Sequence, residues 1–132
     1  MNKLKILLAD DHESFRRLLV SYLNTQKGVE VVGEASDGVE AVEKTGSLRP
    51  DVVLMDVHMP RQNGLDATRN IKTQFPSTKV FILSMDPTEF YNQKVQHIAD
   101  GFIAKSSMKT ALQSVLAIEQ TNHLSAGAVA AA

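Results

Sequence analysis

The sequence contains no cysteine, which excludes disulfides, thiolate zinc sites and cysteine nucleophiles. It has no long apolar run either. Nothing is long enough to span a bilayer, and the stretch Ile6–Ala9 behind Met1-Asn2-Lys3-Leu4-Lys5 is too short for a signal-peptide core. An excess of one charge is also missing: 14 basic against 15 acidic side chains leave a net charge of -1. Charge alone therefore does not support direct nucleic-acid binding, which needs a basic face for phosphate contacts. What remains is an ordinary globular composition in 132 residues, the size of one domain. A domain of this length buries roughly two-thirds of its unfolded surface and needs no covalent staple. The expectation is a soluble, cytoplasmic, single-domain chain with no membrane partner.

Five short apolar runs punctuate the chain: Lys5–Ala9, Val29–Ala35, Val52–Met55, Lys79–Leu83 and Gly101–Ala104. Four are nearly continuous in apolar residues, as strands buried on both faces are. Val29–Ala35 is interrupted by Glu30, Gly33 and Glu34 and reads as an edge strand. Helical spacing fills the gaps. Phe15, Leu18, Leu19, Tyr22 and Leu23 form the strongest amphipathic stripe. Val39 and Val42 open a second helix, and Leu65, Thr68, Ile71 and Phe75 mark a third. Tyr91, Val95 and Ile98 mark a fourth, and Leu112, Val115 and Leu116 a fifth. Asp37 with Glu40 and Asp86 with Glu89 have capping-box spacing, while Pro50 and Pro76 follow the second and third helices as stop signals. Five β-α alternations predict a doubly wound α/β domain with a parallel sheet covered on both faces. The segment from Thr121 to Ala132 shows no core pattern and reads as a frayed tail or linker stub.

In such sheets function sits beyond the carboxyl ends of the strands. Asp10 and Asp11 follow the first strand, Asp56 ends the third, Ser84 the fourth, and Lys105 the fifth. Each has a bland explanation alone; Asp10 with Glu13, for example, has capping-box spacing. Their shared position is harder to dismiss. Three carboxylates within about 5 Å repel by roughly 3 kcal/mol per pair at an effective dielectric near 20. Such a site protonates or takes a cation, and an all-oxygen donor set suits Mg2+. A carboxylate beside that cation is a nucleophile towards phosphorus, with Lys105 balancing the transferred charge and the Ser84 hydroxyl donating to a phosphoryl oxygen. The chemistry points to phosphoryl transfer onto Asp56.

The residues Lys5-Ile6-Leu7-Leu8-Ala9-Asp10-Asp11-His12, Arg49-Pro50-Asp51-Val52-Val53-Leu54-Met55-Asp56-Val57-His58-Met59-Pro60 and Asn63-Gly64, with Ser84 and Asp100-Gly101-Phe102-Ile103-Ala104-Lys105, resemble the receiver domain of bacterial two-component response regulators. The Asp-Asp-His start and the lack of proline after Lys105 are most similar to the NarL/FixJ group, whose receivers usually precede a LuxR-type helix-turn-helix domain. The resemblance implies a flavodoxin-like (βα)5 sheet of strand order 2-1-3-4-5. It implies a receiver over residues 1–120 and a tail, or the start of a linker to an output domain, over 121–132. Asp56 would be the phosphoacceptor. Asp11, Asp56 and the main-chain carbonyl of His58 would bind Mg2+, with Asp10 reaching it through water. Ser84 and Phe102 would be the switch pair, and Lys105 would hold the phosphate. A sensor histidine kinase is the implied partner, a homodimer a further one, and no activity beyond the domain's own phosphorylation and dephosphorylation is implied.

The chain departs from the family pattern at three places: Ser106 replaces the usual proline after Lys105, Met85 the usual small residue after the switch hydroxyl, and Ile98 the usual glycine near the fourth helix's end. Two enzyme or carrier readings fit less well. A haloacid-dehalogenase-like phosphatase needs a second Asp where His58 stands, and a flavodoxin-type flavin carrier would not place Asp10-Asp11 against a phosphate. A receiver-like interaction module without phosphorylation is the remaining alternative. His12, His97 and His123 are expected to be surface residues.

Overall fold

The structure is a computed structural model that describes residues 3–86, 88 and 96–131. Five strands, β1 (Leu4–Ala9), β2 (Val29–Ala35), β3 (Val52–Asp56), β4 (Lys79–Ser84) and β5 (Gly101–Ala104), form one sheet of order β2-β1-β3-β4-β5. Every pairing is parallel. The expected flavodoxin-like topology is thus observed, with β2 at an edge. Helices α1 (Glu13–Asn24), α2 (Gly38–Leu48) and α3 (Gly64–Gln74) alternate with the strands, and a C-terminal helix runs over Met108–Ala131.

The period of two in the strands divides the core. Leu4, Ile6, Leu8, Leu54, Leu83 and Ile103 pack with Leu19, Leu23, Leu112 and Leu116 under α1 and the C-terminal helix. Leu7, Ala9, Val53, Met55, Val80 and Ile82 pack with Ala41, Ala67 and Ile71 under α2 and α3. Side chains alternate across the sheet, so continuous apolar runs feed both layers at once.

Three expectations change. Leu18, counted in the α1 stripe, is 67% exposed. The sheet and the C-terminal helix cover only the Leu19–Leu23 side of α1, and Leu18 lines an open apolar groove of about 350 Å³ with Phe15, Tyr22 and Met108. The segment from Thr121, expected to be frayed or a linker stub, carries helical backbone as far as Ala131. Alanine has the highest helix propensity, and no proline interrupts the run. Near its middle, this helix touches the amino end of the sheet: Gln120 Nε2 donates to the Lys27 carbonyl at 2.8 Å, and His123 Nδ1 lies 3.7 Å from Asp51 Oδ1. His123 is therefore half-buried rather than a surface residue. The fourth helix expected from Tyr91 and Val95 falls outside the described residues, while Ile98 is half-buried.

The caps explain why α2 and α3 begin where they do. Asp37 Oδ1 accepts from the Glu40 amide at 2.8 Å, and Asn63 Oδ1 accepts from the Asp66 amide at 2.9 Å. α1 is different: His12 stands at its N-cap without a side-chain bond. Asp10 does not cap α1 and accepts the His12 amide at 2.8 Å instead.

Candidate functional site

Register brings the acidic residues level. Ala9 pairs with Met55 and Asp56 with Leu83, so the chain leaves β1 into Asp10 beside the last residue of β3. Asp10 and Asp56 are buried, whereas Asp11 is exposed. Ser84 closes β4 opposite Ala104, and Lys105 follows directly. Asp10, Asp11, Asp56 and Lys105 thus meet at one edge.

The Lys105 side chain is almost fully buried. Its Nζ lies 2.7 Å from Asp10 Oδ2 and 3.6 Å from Asp56 Oδ1, and sits 4.3 Å from the centre of the Phe15 ring. A cation so placed is held by two carboxylates and a π face. Asp10 is fixed further by the His12 amide on Oδ1, and Arg16 Nη1 donates to its main-chain carbonyl at 2.6 Å. Arg16 in turn pairs with Glu34 at 2.8 Å. Asp56 is less satisfied: its Oδ2 is buried and has no hydrogen-bond partner. Burial, reinforced by the neighbouring Asp10 and Asp11 charges and opposed by Lys105, pushes the Asp56 carboxyl up to about 6. An orphaned carboxylate oxygen in an oxygen-rich cluster is a fitting donor for a hard divalent cation.

The other expected residues stand at the margins of this cluster. The Ser84 hydroxyl is buried but turned to the loop after β4, donating to the Asp86 carbonyl at 3.1 Å and accepting from the Asp86 amide at 3.0 Å. Phe102 is half-buried and packs against the layer under α2 and α3. The His58 side chain is exposed. Met85 is 72% exposed, so its thioether does not plug the edge from within the core. The Lys105–Ser106 bond is trans, as are the other peptide bonds described.

Sequence reasoning missed His12. Its Nδ1 lies 3.1 Å from Asp10 Oδ1, 3.3 Å from Asp11 Oδ1 and 3.8 Å from Asp56 Oδ2. The clue was its position, one residue beyond Asp11 at the start of a helix.

A clasp holding the loop after β3 was also missed. Arg61, at φ 64, places Nε 3.0 Å from Asp37 Oδ2 and donates from Nη2 to Asp37 Oδ1 at 3.0 Å. Gly38 lies so close that a Cβ would overlap the Gln62 carbonyl. The Arg61 guanidinium and the Glu40 amide hold the Asp37 carboxyl below its usual 3.8, so this contribution to stability is present above that pH and lost as pH falls through the depressed value. Arg61→Ala is expected to return Asp37 towards its ordinary titration and to speed amide exchange across 57–64 without affecting β1. Equal exchange across that loop in both proteins would remove the clasp.

An open parallel sheet whose carboxyl edge gathers three aspartates and a buried lysine defines the receiver class of signalling domain. Residues 6–117 match the response regulator receiver domain family, and the chain belongs to it. It is 43% identical over 106 residues to the oxygen regulatory protein NreC of Staphylococcus aureus, covering 79% of this chain and 49% of that protein. It is 38% identical over 115 residues to the transcriptional regulatory protein DegU of Brevibacillus brevis, covering 84% of this chain and 48% of that one. The chain thus spans about half the length of the curated relatives it matches. Among solved structures, it is similar to the signal receiver domain of the response regulator NarL from Mycobacterium tuberculosis, with a TM-score of 0.80 and 33% identity over 91% of this chain and 98% of that one. Among the described residues, no helix is long and apolar enough to cross a membrane.

Proposed function

We propose that this chain is the phosphorylation switch of a two-component pathway, with Asp56 as phosphoacceptor. The observation that carries it is the buried, unpartnered Asp56 Oδ2 at the end of β3, with Lys105 Nζ 3.6 Å from the other oxygen. In the transfer, an Asp56 oxygen bonds to phosphorus while the phosphorus–nitrogen bond to a kinase histidine breaks and its electron pair stays on that nitrogen. Asp10, Asp11, Asp56 and the His58 carbonyl would hold Mg2+, which supplies charge neutralisation for the phosphoryl oxygens. Lys105 supplies the opposing cation from the β5 side, and the Asp10 carboxylate keeps it in place.

A phosphoryl group adds close to two negative charges beside Ser84. Turning the Ser84 hydroxyl towards it would exchange the two bonds to Asp86, and Phe102, half-buried on the neighbouring strand, would repack in response. The face made by the segment before β5, β5 itself and the C-terminal helix then reports the state. With residues 1–120 as receiver and 121–132 leading onward, the receiver of that reading controls a LuxR-type output domain in a longer cytoplasmic protein. DegU, named as a transcriptional regulator, supports this. DNA contact belongs to that output domain, since the chain here carries a net charge of -1.

Phosphoramidate with Mg2+ is expected to add one phosphoryl group to the parent and none to Asp56→Asn, as read by intact mass. Equal labelling of both proteins would sink the assignment. A parent that stays unlabelled while remaining folded would favour the interaction-module reading.

A further inference from the structure

We infer that His12 is a nitrogen ligand of the cation site and tilts its preference towards borderline divalent ions such as Co2+, Ni2+ or Zn2+. This rests on the reading of the acidic cluster as a cation site, and extends it by one residue. Asp10 and Asp56 each divide their oxygens between two poles. Asp10 Oδ2 and Asp56 Oδ1 face the Lys105 ammonium, while Asp10 Oδ1 and Asp56 Oδ2 face His12 Nδ1. The second pole gathers Asp10, Asp11, His12 and Asp56, whose ligand atoms all lie within 4.8 Å of one another.

Those spacings suit one coordination sphere. With bonds of about 2.1 Å, neighbouring ligands in an octahedron lie ~3.0 Å apart and opposite ligands ~4.2 Å apart. Nδ1 is hydrogen-bonded with Asp10 Oδ1 at 3.1 Å, a contact that a shared cation would replace at the same spacing; it lies 3.3 Å from the Asp11 oxygen, as neighbours are, and 3.8 Å from Asp56 Oδ2, between the two values. An independent observation points the same way: Asp56 Oδ2 is buried without a hydrogen-bond partner and looks towards this pole. The His12 side chain is 64% exposed, so its ring has freedom to close on an ion, while its amide is tied to Asp10 Oδ1. Oxygen donors alone serve Mg2+ well, whereas imidazole adds affinity chiefly for the softer first-row ions. His12 therefore acts on which ion is held more than on whether one is held.

The test is calorimetric titration of the tag-free 132-residue chain with Mg2+ and with Co2+, alongside the visible absorption of bound Co2+. His12→Ala is expected to weaken Co2+ at least about tenfold more than it weakens Mg2+, and to shift the Co2+ bands as a nitrogen donor is lost. His12→Asn, which keeps polarity and helix-start chemistry, is expected to behave alike. Equal weakening of both ions, or an unchanged Co2+ spectrum, would overturn the inference while leaving the cation site standing. Mg2+ affinity insensitive to both Asp11→Asn and Asp56→Asn would instead overturn the cation-site reading, and with it this one.

Discussion

Asp56→Asn is expected to resist denaturant better than the parent at about pH 7.5 in the absence of divalent ions, with an advantage that vanishes near pH 4. The parent must bury a carboxylate whose Oδ2 finds no partner, beside Asp10 and Asp11. Its pKa rises from 3.8 to about 6 on folding. The native state therefore binds the proton more tightly than the unfolded chain does. Stability from this group is fully present below the unfolded value and is lost as pH rises through about 6. At 1.36 kcal/mol per pKa unit the penalty is at most about 3 kcal/mol, and screening by solvent reduces it to ~1–2 kcal/mol. The amide of the variant carries no charge at any pH, so the difference between the two proteins isolates this one titration from the others. Urea unfolding of both across that range is the measurement. A variant less stable than the parent at neutral pH, or a difference that ignores pH, would contradict the account.

The second large effect is expected at Gly64, where α3 leaves the loop after β3. A Cβ there would overlap the Asp56 carbonyl oxygen and lie 2.9 Å from the Asp56 carbonyl carbon and 3.0 Å from Val57 Cα. All three are backbone atoms, so no side chain can rotate aside. The loop cannot back away easily either, because the Gly64 amide donates to the Val57 carbonyl at 2.9 Å and Thr68 Oγ1 donates to the Gly64 carbonyl at 2.6 Å. Gly64→Ala is expected to lower stability by about 3 kcal/mol, the upper end for overpacking, despite alanine's better helix propensity. It should also displace Asp56 and slow labelling by phosphoramidate well beyond what partial unfolding explains. Stability and labelling rate together check this. A variant as stable as the parent would show that the strand end and α3 are not in contact as described.

The topology was legible in the chain because its signals are local and periodic. Runs such as Lys5–Ala9 and Val52–Met55 announce doubly covered strands, and Glu30, Gly33 and Glu34 announce the edge. Parallel strands all send their carboxyl ends to one side, so placing Asp10, Asp11, Asp56, Ser84 and Lys105 at strand ends sufficed to bring them to a common edge. The alternating core faces follow from the same period of two.

Other features were set only by tertiary structure. Whether the His12 ring turned to the carboxylates or to solvent depended on the path of the chain into α1, which no periodicity encodes. The pairing of Arg61 with Asp37 joins two loops 24 residues apart through a left-handed backbone turn. The placing of His123 near Asp51 required a helix continued beyond Glu119 and laid along the amino end of the sheet. The Ser84 hydroxyl could reach the acidic edge or the loop behind it, and the Asp86 backbone took it. Local sequence determines which residues stand at a strand's end. The direction of a polar side chain there is decided by partners distant in the chain, because its hydrogen bonds and charges are satisfied only once the whole fold has assembled around it.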